Sequence, residues 1–342
     1  MDSRSWLFPA KGTLACALMA GASMFYGCDG GTSTPSGHTF PARDHQCAAG
    51  AATPCMTTEP ESPDANRTVE LPNTFMDRTI TYVVATASLP QMMGGRAAGF
   101  NVDNLDSGAG SMAADANCQE YTPDFVSVTD ANHRGVDNAL QGLVGTIEGL
   151  LDANDCPGMM TRGCLDATLQ RQILEGDFLL LMEVGGINDF TFDSSVTVQL
   201  YLGTASGTLM EAPGGGLAGG QTFTRGMALG APVTGDIFNG RLRVQTPSLP
   251  LNINAGGFEL NLVVTQAQVR FDITENRLAN GVIGGVVTVD AIVMAAVAIM
   301  PGIEDTVRSV VESVADVSPS ADPQVCTALS LGLLFTGVDA TY

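Results

Sequence analysis

Read for residues that could do chemistry, the sequence offers one acidic loop and a set of cysteines. The loop is Asp130-Ala131-Asn132-His133-Arg134-Gly135-Val136-Asp137-Asn138. Calcium loops place oxygens at their first, third, fifth and ninth positions and a glycine at the sixth. A hard cation needs several oxygens gathered around one sharp turn. Asp130, Asn132, Gly135 and Asn138 fit that spacing. Arg134 stands where the fifth ligand belongs, Gln141 replaces the acidic twelfth, and Asp137 is the substitute ligand if the loop is remodelled. The expectation is a calcium site of Asp130, Asn132, Asp137 and Asn138. The same run suits an Asx-rich turn that caps the helix after it equally well. Asp103 with Asp106, and Asp189 with Asp193, are further acidic pairs in turns, where solvated carboxylates are the ordinary outcome.

Setting aside Cys16 and Cys28, which lie in the leader region, Cys47, Cys55, Cys118, Cys156, Cys164 and Cys326 remain. An even number in an exported chain reads as disulfides. Cys47/Cys55 and Cys156/Cys164 are near neighbours and would close short loops, which leaves Cys118 for Cys326; this is one connectivity among several. A zinc site from His38, His45, Cys47 and Cys55 lacks the paired short gaps of structural zinc ligands. No Cys-x-x-Cys occurs, so thioredoxin-type redox chemistry is excluded.

Catalytic templates are missing. His133 is the only histidine after His45. Neither a G-x-S-x-G elbow nor H-E-x-x-H is present, and a phosphate loop needs a lysine that the body does not have. Gly214, Gly216 and Gly219 satisfy a dinucleotide spacing, but inside a glycine run between strand-like segments, which reads as a loop. A hydrolase working with two carboxylates has 35 acids after Cys28 to draw on, too many to single out a pair.

Those 35 acids face thirteen arginines and no lysine, and the whole chain carries a formal charge of −21. No clustered basic face is available for nucleic acid or for an anionic bilayer. The only lysine, Lys11, sits with Arg4 before the short apolar run Gly12 to Gly27, an export-signal arrangement. Phe25-Tyr26-Gly27-Cys28 resembles a bacterial lipobox: Gly27 and Cys28 match it, Phe25 and Tyr26 depart from it. The resemblance implies cleavage before Cys28 and lipid attachment to its thiol; plain secretion is the alternative. Residues 28–69 are rich in Gly, Ser, Thr, Pro and Ala without apolar periodicity, the composition of a disordered tether. A leader over 1–27, a tether over 28–69 and one globular domain over 70–342 follow.

In that domain, Thr79 to Leu89 reads as a strand. Val136, Leu140, Leu143, Val144, Ile147, Leu150 and Leu151 recur at helical spacing, as do Leu165, Leu169, Ile173 and Leu174, with Gly176 as a stop. Strands are expected at 178–184, 196–202, 221–225, 237–245, 258–274 and 282–289, and a closing strand at 328–338. Asp290 is placed to cap a short helix to Met300, and Val307, Val310, Val311 and Val314 mark another. Glycines and Asp290 interrupt the apolar stretch 282–303, so it reads as strand plus helix rather than a membrane span. The helix from Val136 has no basic residue for a lipid surface and is expected to pack on the sheet. The fold class is α+β, mainly antiparallel β: a sheet or partly closed barrel against early amphipathic helices and a late helix.

Five short patterns carry a resemblance over most of residues 95–342. They are Ala98-Ala-Gly-Phe-Asn-Val-Asp-Asn104, Gly135-Val-Asp-Asn-Ala-Leu140, Leu174-Glu-Gly-Asp-Phe-Leu-Leu-Leu181, Asn280-Gly-Val-Ile-Gly-Gly285 and Cys326-Thr-Ala-Leu-Ser-Leu-Gly-Leu-Leu-Phe335. They resemble uncharacterised exported lipoproteins of the kind abundant in myxobacteria-type genomes, and the resemblance brings no activity with it. The functional expectation is a lipid-anchored envelope protein, a non-catalytic binding or structural module whose membrane contact is its lipid. A carrier of an apolar ligand in a β-sheet cavity and a carboxylate-based hydrolase are the alternatives. No cofactor beyond calcium is expected.

Overall fold

The computed structural model describes residues 77–89, 95–103, 124–128, 134–150, 163–255, 258–299, 302–317 and 326–342. The leader, the lipidation site Cys28 and the tether lie outside them. So do Cys47, Cys55, Cys118, Cys156, Asp106, Asp130, Asn132 and His133.

Eight antiparallel strands close into a barrel. They are β1 (Arg78–Ser88), β4 (Leu180–Ile187), β5 (Phe192–Ala205), β7 (Val233–Phe238), β8 (Arg241–Ala255), β9 (Phe258–Thr274), β10 (Arg277–Thr288) and β11 (Ala328–Thr341). Each pairs with the next, and β11 returns to β1 through Thr81↔Ala340 to Ser88↔Leu334. The two-stranded β2 (Arg96–Ala97) and β3 (Val126–Ser127) lie apart from this ring. β6 (Gln221–Ala228) runs along the end of β5 in the direction that β7 continues, then pairs in parallel with β11 at Ala340 and Thr341. A shorter ring, β11–β1–β4–β5–β6, thus shares four strands with the barrel.

Directly opposed residues share a sheet face. The register places Tyr82, Met182, Ile237, Leu242, Phe271 and Leu278 on the inner face, and none retains accessible surface. Phe271 and Phe335 meet edge to face at 5.9 Å in the middle. The Tyr82 hydroxyl is satisfied by donating to the Thr274 carbonyl at 2.7 Å. Glycine makes room for this packing: a Cβ on Gly281 would fall 2.6–2.7 Å from the Phe335 ring.

Four helices accompany the strands among the described residues: α1 (Ala139–Leu150), α2 (Cys164–Glu175), α3 (Val289–Ile299) and α4 (Glu304–Glu312). Gly176, at φ 86°, ends α2 as its spacing predicts. Ile173 of α2 joins the apolar cluster of β1 and β4, while Ala139 and Leu143 of α1 pack with Val293 of α3 and Val311 of α4. No helix among the described residues is long and apolar enough to cross a membrane, which says nothing of strands.

Of the two arrangements expected, a sheet or a partly closed barrel, the strands take the barrel, and it is closed. Three other expectations are corrected. The expected strand over 237–245 is two strands, because Asn239 (φ 52°) and Gly240 (φ 77°) form a tight hairpin turn between β7 and β8. Asp290 does not cap α3: the Thr288 hydroxyl accepts the Ala291 N–H (3.2 Å), and Asp290 accepts from Arg308 of α4 (2.7 Å). The strand starting at Val282 is longer than expected, because β10 begins at Arg277.

Gly281→Ala should lower unfolding free energy in urea by about 1–3 kcal/mol, as overpacking against a ring does. Gly142→Ala, on an exposed helical position with open space around its Cβ, should instead stabilise by about 0.5–1 kcal/mol.

Candidate functional site

β1 accompanies β11 only as far as Ser88↔Leu334, and Pro90 follows soon after. Among the described strands, only β10 accompanies β11 on to Ala328. Backbone groups left bare along a buried strand edge are costly, so something must pair them. Side chains and a short bridge do so. The Asn138 amide donates to the Gly332 carbonyl (3.3 Å) and to that of Ala98 (2.6 Å). The Ser330 N–H donates to Asp316 Oδ1 at 2.8 Å, and the Ser330 hydroxyl donates to the other oxygen of the same carboxyl. That hydroxyl also accepts the Ala139 N–H at the start of α1 (2.9 Å). Val317 bridges Ala328 at the end of the strand.

Four of the five patterns that carry the resemblance meet here. The Phe100 carbonyl accepts the Asp137 N–H (3.0 Å), and Asp137 Oδ2 accepts the Val102 N–H (2.6 Å). Phe100, Ala98 and Val282 of β10 form one buried cluster. The 98–103 segment lies so close on β11 that a Cβ at Gly332 would sit 1.9 Å from the Ala98 carbonyl oxygen. The fifth pattern runs from the end of α2 into β4.

Burial raises the Asp137 carboxyl well above the usual range, the nearby carboxylates Asp103, Asp124 and Asp316 raise it further, and the Val102 N–H opposes them. Burial likewise pushes Asp316 up to about 6, against the two Ser330 hydrogen bonds and with Asp103 adding to it. Among the cations, Arg270 of β9 stands over the Phe100 ring at 5.2 Å, with Ser127 Oγ 3.5 Å from its guanidinium.

Asn138 proves to be the helix cap: its Oδ1 accepts the Gln141 N–H at 3.1 Å. The structure thus brings Asp137 and Asn138 together on fold-securing hydrogen bonds; Asp130 and Asn132 lie outside the described residues. Gln141, at the twelfth position, is buried with its side-chain amide paired to no described group. Among the described residues, no three His, Cys, Asp or Glu side chains are grouped to hold a metal ion.

The other acidic pairs shape turns. Asp189 accepts the Thr191 N–H (2.5 Å), and Asp193 accepts those of Asn188 (2.7 Å) and Ser195 (3.1 Å). The glycine run 214–219 leads into β6 rather than a helix, so it builds no dinucleotide cradle, and Leu217 bonds the Ala85 carbonyl (3.2 Å). Cys164 and Cys326 are both disulfide-bonded. Asp316 and Ser330 escaped the sequence reading. Ser330 alone carried a signal, as a single polar residue within the apolar run Ala328–Leu334.

Compared with protein-family models, curated proteins and solved structures, the chain matches none.

Asn138→Ala removes a cap and leaves two buried carbonyls without their donor, so it should cost about 2–3 kcal/mol in urea unfolding. Asn138→Asp keeps the cap but loses the donor and adds a carboxylate beside Asp137. It should be no more stable than Asn138→Ala, and wild-type stability in either variant would refute the seal.

Proposed function

We propose that this chain is a lipid-anchored protein of the cell envelope, held through Cys28 and acting there as a non-catalytic binding or structural module. The observation that carries the reading is the filled middle of the barrel, as its described inner side chains have it. A ligand cavity leaves accessible surface on the atoms that line it, and the inner side chains Tyr82, Met182, Ile237, Leu242, Phe271 and Leu278 have none. The carrier reading needs such a cavity against these side chains.

The polar groups of the site support the same view. Asp137, Asn138, Asp316 and Ser330 are buried and spend their hydrogen bonds on fastening the covering segments to β11. Disulfide bonding of Cys164 and Cys326 supports an oxidising compartment. The excess of 35 acids over thirteen arginines after Cys28 supports a partner other than nucleic acid, and a membrane contact made by lipid rather than by basic side chains.

In a bacterial host, the wild-type chain should sediment with membranes and take up a labelled acyl chain, and Cys28→Ala should release it as soluble protein. Unchanged sedimentation of Cys28→Ala would overturn the anchor. Saturable uptake of a fluorescent fatty acid by the intact protein would replace the module with a carrier.

A further inference from the structure

Methionine is ordinarily a core residue, because its flexible apolar chain fills gaps between other side chains. Four methionines fall among the described residues: Met182, Met210, Met227 and Met294. Met182 behaves as expected, on the inner face of the barrel with no accessible surface. Met210, Met227 and Met294 do not, being 56%, 63% and 68% exposed. Of the other large apolar side chains described, only Val263 and Tyr342 are exposed, and no leucine, isoleucine or phenylalanine is. Burial thus governs leucine throughout the described surface and fails for methionine, whose distinguishing group is the thioether sulfur.

The three sulfurs stand clear of what holds the fold. The Met210 N–H donates to Gln221 Oε1 (2.7 Å), and its carbonyl accepts from Gln221 Nε2 (3.0 Å) and the Ala218 N–H (2.9 Å), so its backbone is fixed independently of its side chain. Met227 lies in β6 and Met294 in α3, where the neighbouring Val293 is buried instead. None of the three belongs to an apolar cluster. Cys164 and Cys326, the cysteines among the described residues, are disulfide-bonded, which leaves thioethers as the readily oxidised sulfur there.

We propose that Met210, Met227 and Met294 are oxidant-accepting sites, which take oxygen from hydrogen peroxide outside the cytoplasm while the barrel stays folded. The setting rests on the envelope reading above; the chemistry does not. A sulfur lone pair attacks one peroxide oxygen and the O–O bond breaks. The second oxygen leaves with the proton of the first, as water. The sulfur is oxidised by two electrons to the sulfoxide and the peroxide is reduced. At these positions water solvates the new S–O dipole. At Met182, opposite Tyr82 and Leu200, the same dipole would enter the apolar core without a partner. A dithiol reductase reverses the step, releasing the oxygen as water while its own thiols close to a disulfide.

The test treats the purified full chain with graded hydrogen peroxide and reads each methionine by mass spectrometry of its peptides. Met210, Met227 and Met294 should each gain one oxygen at least roughly tenfold faster than Met182. A pair of thiol-dependent methionine sulfoxide reductases, one for each sulfoxide epimer, should then remove it from all three. Glutamine imitates the polarity of the sulfoxide on an unbranched chain. The triple variant M210Q/M227Q/M294Q should keep the wild-type urea midpoint, whereas Met182→Gln should lower it or fail to fold. Oxidation of Met182 as fast as the other three, sulfoxides that the reductases leave in place, or a lowered midpoint in the triple variant would each overturn the proposal. These readings do not depend on how Cys28→Ala partitions, so loss of the anchor and loss of the oxidant sites are told apart.

Discussion

Closing a sheet on itself leaves no room for an unpaired backbone. In this barrel one stretch where strands do not meet the constraint is the end of β11, beyond the point where β1 stops. There the missing strand is replaced by an asparagine, an aspartic acid, a serine and one bridge. These four devices come from three separate stretches of chain, so the cap of α1, the position of the 95–103 segment and the course of the chain after α4 are all fixed by one seam. The same seam explains why so many polar side chains are buried outside a barrel whose inside is apolar.

The glycine content follows from a related constraint. Rings and covering segments lie directly on the barrel wall, and a wall carrying side chains at those points would hold them off. Gly281 admits the Phe335 ring from within, and Gly332 admits the Ala98 carbonyl from outside. Composition that at first only signals loops is, in the strands, a requirement of close approach on both faces of the sheet.

The apolar runs made most strands and both early helices legible, since each buries a face whose period shows in sequence. Where two runs joined without a break, as from Ile237 to Gln245, the periodicity concealed a hairpin whose turn signal, Asn239-Gly240, was present and outweighed. Barrel closure was illegible because it rests on pairing between distant strands, which leaves no local mark. The seam was half legible: Asn138 announced itself as a cap or a ligand, and the structure assigns it the cap. Asp316 could not be found, because an isolated aspartate after a helix looks the same whether it faces water or Ser330.

The seam between β1 and β11 joins residues as far apart as Thr86 and Thr336, 250 positions along the chain. Contacts of that separation demand a large loop-closure entropy before they return any stability, and topologies built on them fold slowly. Until β11 docks, β1 has only β4 beside it, and the inner faces of both stay wet. The chain is therefore expected to remain unfolded while it is being made, a state that passes through a narrow translocation channel more readily than a finished barrel, and to assemble in one late cooperative step. Its slowest moment would also be its most exposed to proteases and to aggregation.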